Sequence, residues 1–137
     1  LVLDRLAALA ERPDFRAKAE TILNLFAGKA GDFGLFAATY GLALTHHRRA
    51  PVQIVVVGNS GADRTAGLLK AAQQTARAGK RVFAFTPEVV KNGNLPAGLA
   101  ATLPHLPLDG NPLALVCVGT SCQPPVQTPE ALAEALK

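Results

Sequence analysis

The two cysteines of this chain are its best candidates for nucleophilic, redox or metal chemistry. Cys117 and Cys122 have four residues between them, within the segment LVCVGTSCQPPVQTPEAL. A thioredoxin-type redox pair has two intervening residues at a helix N-terminus, and a structural zinc site needs four ligands, for which His105 is the only further candidate. Neither requirement is met. We therefore expect Cys117 to be a small buried strand residue and Cys122, the weak catalytic candidate, to lie in the following loop, both as free thiols.

The histidines do not form a metal-binding pattern. His46 and His47 are adjacent in HHRR, so on a helix their rings point about 100° apart and chelate one ion poorly. At a helix C-terminus they complement the dipole, and we expect them to face solvent. His105 stands alone in LPHLP. The sequence predicts no metal site.

A glycine-containing turn, VVVGNSGADRT, is the best-placed candidate for ligand binding. It follows a predicted strand and begins a predicted helix, where open α/β sheets bind ligands. It lacks the Walker pattern and the full glycine spacing of a dinucleotide fingerprint. Because Ser60 and Asp63 have capping-box spacing, a structural corner explains the turn, and the negative charge of Asp63 opposes phosphate binding. Gly58, Asn59, Ser60 and Asp63 remain weak ligand-binding candidates, with no cofactor predicted.

The elements that position these residues follow a strand, helix, strand order typical of a parallel crossover. Ile54–Val57 and Val82–Phe85 are continuously apolar, as burial on both faces of a sheet requires. A third apolar run, Leu113–Val118, follows a long stretch rich in Pro and Gly. Thr128 is then predicted to cap a last helix whose first residue is Pro129.

The first third of the chain is predicted to be helical. One helix covers residues 1–11, and a second covers Phe15–Ala27, with Asp14 as its N-cap. A third begins at Asp32, and its small residues at helical spacing favour close packing of another helix: Gly34, Ala37, Ala38 and Gly41. These helices are unusually apolar for a surface, so we expect them to pack against something.

Composition limits the classes of function. The 137 residues are 49% hydrophobic and 18% charged, as in one folded domain. A net charge of +4 with 5% aromatic residues disfavours a nucleic-acid partner, and no apolar run reaches the ~20 residues of a membrane helix. Two cysteines without a signal peptide favour the cytoplasm. A chain that begins with Leu and has no Met is expected to be a fragment or a processed piece.

We therefore predict an α/β fold: a small three-layer, Rossmann-like domain with a mostly parallel sheet of three or four strands, preceded by two or three N-terminal helices. The helical segment would cover residues 1–48 and the α/β domain residues 49–137.

Two segments resemble one known family. APVQIVVVGNSGADRTAGLLKAA and LDGNPLALVCVGTSCQPPVQTPEALAEAL are similar to the C-terminal region of the thioredoxin-domain-containing, spermatogenesis-associated family. FAGKAGDFGLFAATYGLAL also resembles the stretch that precedes that region. The resemblance covers most of the chain, and C…CQPPVQTPEAL is its most specific part.

The resemblance implies a larger parent, with an N-terminal thioredoxin-like domain and a six-hairpin helical toroid similar to that of sugar 2-epimerases. Residues 1–48 would be the closing hairpin of the toroid, and the partner would be the rest of the parent chain. The thioredoxin-like cysteines would lie outside this chain.

Three hypotheses about function follow. The first is a non-catalytic C-terminal module. The alternative is a lid or loop of a carbohydrate-modifying, epimerase- or isomerase-like enzyme, and a third is a small-ligand binder that uses Gly58–Asp63. Whether the parent is an enzyme stays open, and the isolated piece is expected to self-associate through its apolar helices.

Overall fold

The computed structural model describes residues 1–77 and 79–137, which form two compact units. The helical unit comprises residues 1–50 with 96–98, and the sheet unit comprises residues 51–95 and 99–137. The chain thus passes from one unit to the other after Ala50, where the sequence placed the boundary at residue 48.

The helical unit contains three helices and a 3₁₀ segment among the described residues. They are α1 (Val2–Ala10), α2 (Pro13–Ala27), the 3₁₀ segment Ala30–Ala37 and α3 (Ala38–Arg48). Glu11 ends α1 in the left-handed conformation, with φ 51°, and Pro13 begins α2 with a φ that suits a first helical position. The two predicted helices are therefore confirmed, with a tight corner between them.

The beginning of α2 differs from the prediction. Its N-cap is Arg12, and Asp14 lies inside the first turn. The two side chains form a bidentate pair, in which Arg12 donates to the carboxylate of Asp14 at 2.7 and 2.8 Å. This hydrogen bond lowers the pKa of Asp14. An acidic side chain in the first turn also complements the helix dipole.

The third helix begins at Ala38, six residues later than predicted from Asp32. Gly34 has φ 52° and ψ −124°, which no right-handed helix contains, so the chain kinks there before α3 begins. A Cβ atom at Gly34 or Gly41 would meet no atom within 4 Å. Because Gly34 lies outside α3, the predicted small-residue face is interrupted there, and packing by a helix from outside this chain stays a prediction.

The helical unit buries little. Its buried side chains are Asp4, Ala19 and Leu23. The Tyr40 hydroxyl donates to the carbonyl oxygen of Leu23 at 3.0 Å, and Arg16 donates to the carbonyl oxygen of His47 at 2.7 Å. These polar contacts connect α2 to α3.

The sheet unit alternates strands with helices. Its elements are β1 (Val52–Val57), α4 (Asp63–Gln74), β2 (Lys80–Phe85), α5 (Pro87–Lys91), a 3₁₀ turn (Leu103–His105), β3 (Leu113–Val118), β4 (Ser121–Cys122) and α7 (Pro129–Ala135), with α6 (Ala97–Ala100) crossing the boundary between the units. The three predicted strands are confirmed. Among residues 1–77 and 79–137, no helix is long and apolar enough to cross a membrane.

The sheet has the order β2-β1-β3-β4 and is mixed. β1 and β2 are parallel, as the crossover through α4 predicts, but β1 and β3 are antiparallel, with Val57 opposite Leu113. The prediction of a mostly parallel, Rossmann-like sheet is therefore wrong. β2 ends at Phe85 and β3 begins at Leu113, and both residues lie beside Val57 of β1. The connection therefore leaves and re-enters the sheet at the same end of the strands. A strand that begins at the end where the preceding strand finished must run antiparallel to it.

Apolar side chains cover both faces of the sheet. On one face, Ile54 and Val56 pack with Leu68 of α4 and Leu132 of α7. On the other face, a second cluster joins the sheet to the short helices: Val55, Val57, Leu113, Leu115, Cys117, Val90, Leu99 and Leu103. All six residues of β1 are buried, which explains their uninterrupted apolar sequence. Helices thus contribute side chains to the clusters on both faces, in agreement with the predicted α/β class.

Two side chains complete helix ends in the sheet unit. Thr128 accepts a hydrogen bond from the backbone N–H of Ala131 at 3.2 Å, which confirms it as the N-cap of α7. Lys80 donates to the carbonyl oxygens of Ala72, Gln73 and Thr75, at 2.5–2.6 Å, at the end of α4. A cation on the last carbonyls of a helix is favourable for the helix dipole.

Candidate functional site

The turn after β1 owes its glycine to close packing. Gly58 is buried, and a Cβ atom there would lie 2.4 Å from Thr65 Oγ1 and 2.8 Å from Pro112 Cβ. Its backbone N–H donates to the carbonyl oxygen of Phe85 at 3.1 Å, which extends the pairing of β1 with β2. Any larger residue would therefore force the turn apart.

The polar residues of this turn lie on the surface. Asn59, Ser60 and Asp63 are all exposed. The N-cap of α4 is Ala62, without a side-chain hydrogen bond, so the predicted capping box of Ser60 and Asp63 is wrong. Gly61 has φ 81°, a left-handed conformation that moves the helix start beyond Ser60. The four candidates are neighbours at one corner, where Gly58 is buried and the other three residues are exposed.

Thr65 is a polar residue of this corner that the sequence interpretation missed. It is buried, and its hydroxyl has no hydrogen-bond partner among the described residues. The hydroxyl lies against Gly58, beneath the turn. Its position three residues into α4 is the only sequence signal for it, and that signal does not distinguish a buried hydroxyl from an exposed one.

The two cysteines form a disulfide in the structure. Their Cα atoms are 4.0 Å apart, and the described residues contain no free cysteine. The expectation of two free thiols is therefore wrong. Cys117 is buried in the second core cluster, as predicted. Cys122 is exposed, but it lies in the short strand β4 and not in a loop as expected.

A β-hairpin brings the cysteines together. β3 and β4 are antiparallel, with Cys117 opposite Cys122 and Val118 opposite Ser121, and Gln123 N–H donates to the carbonyl oxygen of Val116 at 2.9 Å. Gly119 begins the two-residue loop with φ 61°, as such tight hairpin turns require. The sequence VCVGTSC contains the signal for this turn, because a two-residue loop that begins with Gly between two short strand segments is typical of a hairpin. Four intervening residues are what directly opposed cysteines need around a two-residue loop.

A row of side chains crosses the sheet at the disulfide. Arg81 of β2 pairs with Gln53 of β1, Gln53 pairs with Cys117, and Cys117 pairs with Cys122. Paired residues point to the same face of a sheet, so these four side chains share a face. Gln53 is 6% exposed, and its Oε1 has no hydrogen-bond partner among the described residues. A buried polar acceptor thus lies on the strand beside Cys117.

The turn and the disulfide are separate sites. Gly58 follows Val57, which pairs with Leu113, whereas Cys117 pairs with Gln53 near the other end of β1. Four residues of strand correspond to about 13 Å. Cys122 is therefore not combined with the candidates of the turn in one site.

His46 and His47 were expected to face solvent, but neither is fully exposed. His47 Nδ1 lies 2.8 Å from Asp4 Oδ1, and both side chains are largely buried; His46 is half-buried. His105 is exposed in its 3₁₀ turn. Within residues 1–77 and 79–137, no group of three or more His, Cys, Asp or Glu side chains could hold a metal ion. The Asp4–His47 pair instead joins α1 to α3.

No family model matches the chain, and neither a curated protein nor a solved structure matches it. Function must therefore be argued from the residues and contacts described above.

Proposed function

We propose that this chain is a non-catalytic module of a larger protein, in which the helical unit packs against other helices of the same polypeptide. In line with the sequence resemblance, that polypeptide would carry a thioredoxin-like domain and a helical toroid. The sheet unit would supply a self-sufficient folded body, and the helical unit would supply the contact surface.

The exposed apolar surface of the helical unit is the observation behind this proposal. Among the described residues, the large hydrophobic side chains that are exposed all lie between residues 2 and 42: Val2, Leu6, Ile22, Leu25, Phe26, Phe33, Leu35, Phe36 and Leu42. Leu35 and Phe36 are each 93% exposed. Single exposed apolar residues are common, but a concentration of them in one segment marks a contact surface.

A groove in this surface indicates what kind of partner fits. Phe26, Phe33, Phe36 and Tyr40 line an open groove of about 240 Å³, with Ala30 and Ala37 between them. Its lining is aromatic and alanine, without a charged side chain. Aliphatic side chains of an amphipathic helix suit such a groove, because the gain on binding comes from removing apolar area from water.

The described residues support a non-catalytic role. The candidate polar residues at the carboxyl end of β1 are exposed, and His47 contacts Asp4 between two helices, where it links elements of the fold. The alternative, that the parent modifies carbohydrates and that this segment contributes a lid or loop, stays a prediction. It requires substrate contacts from residues of this chain.

Self-association of the isolated chain tests the contact surface. We expect the 137-residue chain to associate as its concentration rises, because its apolar groove then has only other copies to bind. Leu35→Ser with Phe36→Ser should shift the equilibrium toward monomer in analytical ultracentrifugation. The matched control, Lys29→Ser with Asp32→Ser, changes two exposed charged residues of the same segment. It should associate as the unsubstituted chain does. A strictly monomeric chain at high concentration would contradict the proposal.

The full gene tests the identity of the partner. A reading frame that encodes a thioredoxin-like domain and paired helices beside this segment supports the proposal, and one without them contradicts it. Deleting the segment from a folded parent then separates the two hypotheses. Loss of sugar turnover, with the parent still folded, would favour the lid of a carbohydrate-modifying enzyme.

A further inference from the structure

We infer that the Cys117–Cys122 disulfide is a thiol–disulfide exchange site, which a dithiol reductant attacks at Cys122 Sγ while the sheet unit remains folded. This inference is independent of the proposed packing role. It depends on the difference between the two sulfur environments and on the polar row that ends at the disulfide.

The two cysteine residues differ in exposure. Cys122 belongs to a two-residue edge strand, and its neighbours Thr120, Ser121 and Gln123 are all exposed. Cys117 is 5% exposed and packs in the second core cluster. Because exchange requires a thiolate to approach one sulfur directly, access selects Cys122 as the sulfur that is attacked.

The exchange balances in two steps. A thiolate of the dithiol attacks Cys122 Sγ, forming a mixed disulfide and breaking the Cys117–Cys122 bond, whose electron pair goes to Cys117 Sγ. That sulfur then takes a proton. The second thiolate of the dithiol attacks its partner sulfur in the mixed disulfide, which closes the reductant's own disulfide and releases Cys122 as a thiolate that is protonated by solvent. Two electrons and two protons pass from the dithiol to the protein.

Gln53 supplies an interaction that suits the reduced state. Its buried Oε1 lies in the row beside Cys117 and has no hydrogen-bond partner among the described residues while the disulfide is intact. A Cys117 thiol is a donor, although a weak one, whereas a disulfide sulfur has no hydrogen to donate. Reduction therefore places a donor on the residue opposite Gln53, and a hydrogen bond between the two side chains would offset part of the cost of leaving this oxygen unpaired.

The fold can tolerate the opened bond. β3 is held on its other side by the full six-residue pairing with β1, and Ala114 and Val126 exchange backbone hydrogen bonds at 2.7 and 2.9 Å. Only two residue pairs join β3 to β4. Opening the disulfide should thus loosen the hairpin tip and leave the sheet in place.

Single-cysteine variants test the site of attack. The 137-residue chain carrying Cys117→Ser should form a mixed disulfide with oxidised glutathione at Cys122 under native conditions. The chain carrying Cys122→Ser should leave its buried Cys117 unmodified over the same period, as measured by intact mass. Equal and fast modification of both variants would overturn the inference.

Reduction kinetics test it without a variant that could misfold. The oxidised protein is mixed with dithiothreitol, quenched with acid and labelled with a maleimide of defined mass. A reduction rate that rises in proportion to dithiothreitol, and does not change with urea below the unfolding transition, supports exchange in the folded state. A rate that reaches a plateau equal to the unfolding rate overturns it, as does a protein that contains two free thiols after exposure to oxidised glutathione.

The role of Gln53 has its own readout. Gln53→Met should shift the reduction equilibrium in a dithiothreitol redox buffer by about threefold toward the disulfide, the size of one weak hydrogen bond. Gln123→Met, a control that removes an exposed amide beside Cys122, should leave the equilibrium unchanged. An equal shift in both variants would remove Gln53 from the site and leave Cys122 exposure as the only support.

Discussion

The helical unit and the sheet unit are both rich in apolar residues, yet they use them in opposite ways. In the sheet unit, β1 is buried along its whole length and β3 along five of six residues, between helices on both faces. In the helical unit, the large apolar side chains mostly face solvent, and specific polar contacts join the helices. Similar hydrophobicity thus produces a core in one region and an exposed apolar surface in the other.

The difference arises from geometry. A sheet offers two faces, and α4 and α7 pack on one of them, so the apolar residues of β1 and β3 on that face find partners within the unit. Three helices in sequence offer many apolar faces but few partners. The kink at Gly34 also leaves Leu35 and Phe36 on a 3₁₀ segment that contributes no buried residue. Hydrophobicity alone therefore does not identify a core.

Matched leucine substitutions should show the difference between the two units most clearly. Leu68→Ala, at a fully buried position of α4, should lower the free energy of unfolding by about 3 kcal/mol, since it removes buried methyl groups and leaves a cavity. Leu35→Ala, at a position 93% exposed, should change it by less than about 0.5 kcal/mol. Urea denaturation of dilute protein measures both. Similar losses for the two variants would mean that Leu35 is covered in solution.

A second prediction concerns the polar link of the helical unit. Asp4→Ala removes the carboxylate that contacts His47 between α1 and α3, where both side chains are largely buried. Removing one partner of a buried charged hydrogen bond costs about 1.5–3 kcal/mol. Amide hydrogen exchange in α1 and α3 should therefore become about 10- to 100-fold faster.

The matched control for that prediction is Asp32→Ala, which removes an exposed carboxylate 3.9 Å from Lys29. Surface ion pairs contribute little, so exchange in α1 and α3 should be unchanged. If Asp4→Ala left the exchange rates as they are, apolar contacts rather than the Asp4–His47 pair would hold the unit together.

The elements that sequence could predict are those with local causes. The strands followed from uninterrupted apolar runs, and the start of α7 followed from Thr128 and Pro129, whose capping contact is local in sequence. The direction of β3 could not be predicted, because an apolar run is the same in either direction. The direction of β3 depends on the end of the sheet at which the connection from β2 returns. That connection contains α5 and α6, helices of only five and four residues.

The candidate site shows the same limit. The exposure of Cys122 and the burial of Cys117 followed from their positions after and within a strand. Their disulfide was missed because their spacing was compared with helix-based redox and zinc motifs, not with the register of a hairpin. Gln53 could not be predicted as part of the site at all, since its pairing with Cys117 joins residues that are distant in sequence.

The smallest expected effect lies on the surface of the helical unit, at Asp14. The hydrogen bond from Arg12 lowers the pKa of this carboxyl from its ordinary value of 3.8, and the nearby charge of Lys18 adds a smaller contribution. A lowered pKa in the folded state means that Asp14 stabilises the fold above its ordinary pKa, and that this stabilisation is lost as the pH falls through the folded-state value.

Arg12→Met should therefore raise the pKa of Asp14 toward 3.8, as followed by the carboxyl ¹³C shift in an NMR titration. Lys18→Met should raise it less, because Lys18 lies 3.9 Å away and donates no hydrogen bond at that distance. Equal pKa values of Asp14 in the two variants would mean that the bidentate contact with Arg12 does not persist in solution. The first turn of α2 would then be stabilised by interactions other than this ion pair.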